Sequence, residues 1–112
     1  MAKRPPKRSE RSERTVRREQ ARAQSRLQAD RERLFTLEQG GTPERPLEAV
    51  SAAVIEAHAT SVPCPQCGGA HEVVEHTALV HRKVRLREVK LRCRQCGTQR
   101  SLWFKIVGPS LN

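Results

Sequence analysis

All four cysteines of this 112-residue chain fall in two matching units, Cys64-Pro65-Gln66-Cys67-Gly68 and Cys93-Arg94-Gln95-Cys96-Gly97, separated by the twenty-five residues that follow Cys67. No other feature restricts the fold so strongly. Each C-x-x-C loop aims two thiolates at one point, and the glycine behind it lets the backbone turn back over the sulfurs. Two such loops complete a tetrahedron around a single ion. Zinc accepts four thiolates at about 2.3 Å without redox or geometric penalty, and iron fits the same sulfur shell. A redox dithiol is usually one C-x-x-C opening a helix beside a parallel sheet, unlike this pair. The expectation is one Zn2+ per chain, held by Cys64, Cys67, Cys93 and Cys96. Thiols used in this way fit a reducing, cytoplasmic compartment better than two disulfides would.

Between the two units, Glu72 to His76 reads as one strand and Val84 to Arg92 as its partner, with the turn near Leu79 to Lys83. Ser101 to Val107 alternates like a third strand and is stopped by Gly108-Pro109. Two knuckles and three strands resemble a zinc ribbon; the resemblance covers about residues 60–108, and the ribbon domain is expected over residues 61–108. It implies a three-stranded antiparallel sheet stapled by zinc at one end, as in several ribosomal proteins, RNA-polymerase subunits and transcript-cleavage factors. The adjacent Asp-Glu pair that cleavage factors carry at the hairpin tip has no counterpart between Cys67 and Cys93, so cleavage is not carried over. Val84 and Leu86 alternate one step out of phase with Val89 and Leu91. A bulge near Glu88 is expected to correct this and to gather Lys83, Arg85, Arg87, Lys90 and Arg92 on one face.

Two Phe, one Trp and no Tyr cannot build a large core, so a domain of this size needs the metal as a staple. Ahead of it, residues 9–39 are rich in Arg, Glu, Gln, Ala and Leu and read as a basic amphipathic helix capped by Ser9 or Ser12 and ended by Gly40-Gly41. At about 100° per residue, Val16, Ala23, Leu27 and Leu34 fall within roughly 40°, with arginines on the opposite side. That seam suits docking, on the rest of the chain or on a partner, although Gln20 and Asp30 spoil it as a coiled coil. Thr42-Pro43-Glu44 reads as the start of a short second helix within residues 42–60, with Leu47, Val50, Val54 and Ala57 on one face. Residues 1–8 read as a disordered basic tail and 109–112 as a short terminal one. The fold class expected is small α+β.

The formal net charge of +10 divides as +6 over residues 1–39, −2 over 40–63 and +6 over 64–112. Two basic modules flanking a mildly acidic joint favour a polyanion, with no apolar run long enough to span a membrane. RNA or DNA phosphates are the expected partner, met by Lys83, Arg85, Arg87, Lys90, Arg92, Arg94, Arg100 and Lys105 on the strands and by Arg11, Arg18, Arg22 and Arg26 on the helix. The setting implied is the translation or transcription machinery. The alternative is an adaptor docking through its amphipathic helices on a complex such as a ribosome or RNA polymerase; a redox or zinc-sensing switch is a third. Trp103 leans toward core or partner contact rather than base stacking. His58, His71, His76 and His81 have no vacancy to fill in a closed four-thiolate site, and no catalytic set stands out, so no enzyme is expected.

Overall fold

A computed structural model describes residues 6–107. Helix α1, Pro6–Leu37, is one run of 32 residues, about 48 Å long at 1.5 Å per residue. It begins before the expected serine caps, because Pro6 has its φ preset for a first helical position. The expected tail therefore shortens, and Met1–Pro5 and the terminal stretch 108–112 lie outside the described residues. Beyond Leu37 the chain reverses at Gly40, where φ is 89°. A Cβ there would come within 2.7 Å of Leu47, and the Gly40 carbonyl accepts from the Trp103 amide at 2.8 Å. Only glycine gives both the turn and the approach.

The second helix expected from Thr42 does not form there. Arg45 N–H reaches the Thr42 carbonyl at 3.1 Å, but this single turn cannot propagate. Pro46 has no N–H to continue the ladder and disfavours helical backbone at Arg45. The segment instead makes strand β1, Leu47–Ala49, and a 3-10 turn at Ala52–Val54, before helix α2 runs over Ile55–Ser61. The apolar face shifts accordingly: Val50 and Val54 are exposed, while Ile55 and Ala59 are fully buried.

Three longer strands follow: β2, His71–His81, β3, Val84–Cys93, and β4, Gln99–Ile106. The sheet order is β1-β4-β3-β2. The β2–β3 and β3–β4 pairs are antiparallel as expected, but β1 adds a fourth, parallel strand on β4, with Leu47 opposite Phe104. The bulge lies in β2, between Val73 and Glu75, and not near Glu88. Strand β3 runs straight, so its alternation places Arg85 and Arg87 on the face of Val89 and Leu91 and leaves Lys90 and Arg92 on the other. The single basic face is thereby split in two.

The core gathers Phe35 from α1, Ala49 from β1, Ile55 and Ala59 from α2, Val89 and Leu91 from β3, and Leu102 and Phe104 from β4. His58 packs edge-on to Phe104 with ring centroids 5.4 Å apart. Phe35 is the helix's anchor. The expected seam is not: Val16, Leu27 and Leu34 are all exposed. On a helix, Phe35 lies about 100° around from Leu34, so the surface that docks and the apolar stripe are different faces. Trp103 is half-buried and stands outside the core cluster.

Candidate metal centre and its surroundings

The two knuckles are built alike. Gly68 N–H donates to the Cys64 carbonyl at 2.8 Å and Gly97 N–H to the Cys93 carbonyl at 3.0 Å, with φ of 74° and 76° at the two glycines. No atom lies within 4 Å of a Cβ built on either, so it is the left-handed backbone alone that calls for glycine. The turns bring all four sulfurs within 4.8 Å of one another. Cys64 and Cys96 are 3.7 Å apart and Cys67 and Cys93 are 3.4 Å apart, well beyond a disulfide bond of about 2.05 Å. A tetrahedron with metal–sulfur bonds of about 2.3 Å has edges of about 3.8 Å. The donor set therefore fits one metal ion, as its spacing in the sequence suggested.

The charge distribution leads to the same fit. Cys96 is pulled down to about 6, first by the Thr98 hydroxyl and then by the Thr98 amide. Cys93 is lowered too, led by the amide of Cys96. At Cys67 the Gly69 amide favours the thiolate, but the Cys93 sulfur, desolvation and the remaining sulfurs outweigh it and push the thiol up to about 11. Thiols packed this closely cannot all ionise unless a cation lies among them. A dication resolves the conflict, and zinc is the ion whose preferences match four thiolates.

Behind Cys64 lies a buried network with no signature in sequence spacing. Arg100, whose side chain is 4% exposed, donates to Cys64 Sγ at 3.4 Å, to His71 Nε2 at 2.6 Å and to both carboxylate oxygens of Glu32 at 3.2 and 2.5 Å. It also sits over the Phe35 ring, 5.5 Å from the centroid. His71 Nδ1 lies 2.7 Å from the Val62 carbonyl, which only accepts. The proton must therefore be on Nδ1, and Nε2 is left to accept from Arg100. Desolvation and then Arg100 lower the pKa of His71, consistent with a neutral ring. Burial opposes the charges of Glu32 and Arg100, but their mutual bonds prevail: Glu32 is lowered and Arg100 raised.

Gln66, inside the first knuckle, ties the same helix a second time. Its side-chain amide donates to the Gln28 carbonyl at 2.8 Å and to Glu32 at 2.7 Å, and its backbone carbonyl accepts from Arg31 at 3.4 Å. Helix α1 is thus fixed through its last turns to a metal knuckle and to β4, while its side chains from Ser12 to Asp30 are exposed.

The cations expected on nucleic acid separate into three groups. Arg100 is no surface contact; it is buried because it shares the period-two face of Leu102 and Phe104. Lys90 pairs with Glu75 at 3.6 Å, and Arg92 and Arg94 both reach Glu72. Arg87 donates to His76 Nε2 at 3.3 Å, and that ring's Nδ1 meets Glu56 at 2.9 Å. Lys83, Arg85 and Lys105 on the sheet and Arg18, Arg22 and Arg26 on α1 are exposed and have no salt bridge among the described residues. The Arg11 side chain lies outside the described residues. Among these residues no helix is long and apolar enough to cross a membrane. Comparison with protein-family models, with curated proteins and with solved structures finds no match.

Proposed function

We propose that the protein is a non-catalytic, zinc-ribbon nucleic-acid-binding protein of the translation or transcription machinery, gripping phosphates with its helical arm and its sheet. The observation that carries this reading is the free charge of α1. Arg14, Arg17, Arg18, Arg22 and Arg26 are exposed on an arm that extends from the sheet, and none has a salt bridge among the described residues. Cations already neutralised inside a protein release few counterions on binding, whereas unpaired ones release most. A closed four-thiolate site leaves zinc no open position for water or substrate, which supports a structural metal.

Salt titration of the binding of RNA and DNA oligonucleotides is the test. Changing Arg18, Arg22 and Arg26 to Gln keeps the helix formers and removes three charges. The log-log salt slope should shrink by about 2.1 on a single strand or about 2.7 on duplex DNA, at 0.7 or 0.9 per contact. A parent protein that binds neither polymer at low salt would contradict nucleic-acid binding. The exposed Val16, Leu27, Leu34 and Leu37 favour a second reading, an adaptor whose helix docks on a protein. In that case partner recovery would survive nuclease treatment and be lost in Leu27→Asp.

A further inference from the structure

The far end of the sheet from the cysteines carries a feature the charge count did not single out. His81 and Val84 are the last pair of the β2–β3 hairpin, so the loop is two residues, Arg82 and Lys83, with φ of 51° and 69°. Two-residue hairpin loops of this kind ask for positive φ at both positions, which Asn-Gly supplies without strain. Here two long basic side chains occupy them instead. Strain held at an exposed tip points to a use for the side chains themselves. Neither residue has a salt bridge among the described residues, and Arg85, two positions on, has none. His81 at the base of the tip is held by Glu44 at 2.9 Å.

The tip leans on the 43–46 loop on one side, where His81 and Arg82 lie near Glu44, and runs beyond its pairing with β4. Strand β3 pairs with β4 only as far as Arg87 opposite Phe104, and the hairpin continues beyond. Where the two strands part, a groove of about 570 Å³ opens, lined by Leu79, Val80, Leu86 and Ile106 with Arg85 and Arg87. Its aliphatic floor and the exposed Arg85 guanidinium, with Arg87 held beside it by His76, match a nucleobase joined to a phosphate, since guanidinium planes stack on bases and bind phosphate oxygens. A base-paired duplex keeps its bases stacked and offers no free base to such a floor.

We propose that the β2–β3 hairpin tip and this groove are the sheet's contact with single-stranded nucleic acid, Arg82 and Lys83 holding phosphates and the groove taking one unstacked base. This deepens the nucleic-acid function proposed above and rests on it. The paired flank of Lys90, Arg92 and Arg94 then contributes little.

The full-length protein with the double substitution Arg82→Asn and Lys83→Gly removes two charges while supplying the residues the turn prefers. It should melt at or above the parent's temperature yet bind single strands more weakly. Its salt slope should be smaller by about 1.4, so the affinity lost between 50 and 200 mM salt falls about sevenfold less than for the parent. Val80→Ser should weaken single-strand binding without changing the slope, and the parent should prefer single-stranded to duplex oligonucleotides of equal length. If the parent binds but the double variant matches it in affinity and slope, or duplex is bound as tightly as single strand, this placement is wrong while nucleic-acid binding stands. If the parent binds neither polymer, both fail together.

Discussion

Arg100 decides more of this structure than any residue except the cysteines. It joins a sulfur of the four-cysteine cluster, a buried imidazole and the carboxylate of a helix 68 residues away in sequence. Truncating one partner of a buried charged network leaves the others without their bonds, which costs more than the net worth of the pair. Arg100→Met should therefore destabilise the protein by about 2–4 kcal/mol in denaturant unfolding. It should also speed loss of the metal to a chelator, since the group that orients the Cys64 sulfur is gone. The neighbouring His71 sets a pH dependence. Its folded pKa is lowered, so below the unfolded value of about 6.5 the unfolded chain binds a proton that the folded one does not. Stability should fall as the pH drops below 6.5, with metal content followed in the same samples, and His71→Gln should flatten that fall. The chemistry of the cysteines was legible from spacing alone. That of Arg100 was legible only by parity: it shares the strand face of Leu102 and Phe104, and a charge on a core face must find partners. Which partners it finds depends on tertiary contacts with α1, and no local pattern encodes them.

Among the elements, α1 carries its apolar stripe on one face and docks on its own domain through another. The stripe of Val16, Leu27 and Leu34 is real, but Phe35, Gln28 and Glu32 hold the helix down on a face about 100–160° away. The two faces have opposite expectations under substitution. Phe35→Ala, in the core, should cost about 3–4 kcal/mol. Leu34→Asp, at a side chain 62% exposed, should leave thermal melting within about 0.5 kcal/mol of the parent. If Leu34→Asp unfolds the protein in a melting experiment, the stripe packs internally and α1 is not a free arm. The hairpin was legible as two alternating runs with a turn within Leu79 to Lys83, whereas the type and register of that turn were not, because neither Arg82 nor Lys83 is a residue that ordinarily marks positive φ. Residues 42–54 misled for a different reason. A convincing cap and first turn at Thr42-Pro43-Glu44 precede Pro46, and a single missing N–H sent the chain into a strand that closes on β4.

At the scale of the molecule, the dimensions of 90 × 27 × 16 Å describe a long arm on a small sheet whose core cluster, among the described residues, is eight buried residues with a few half-buried neighbours. So small a core has little net stability once chain entropy is counted. A structural zinc can supply about 10–16 kcal/mol of apparent folding free energy at neutral pH. The ion would also hold the knuckle that Gln66 and Arg100 use to fix α1, so sheet order and arm position should be lost together. The most direct measurement is metal analysis of the purified protein combined with circular dichroism before and after chelation. One zinc per chain is expected, with the strand signal and the near-ultraviolet band of Trp103 lost on removal and restored on adding zinc back. A chain that carries no metal, or that keeps both signals once its metal is stripped, would contradict the four-thiolate staple on which the fold and the proposed function rest.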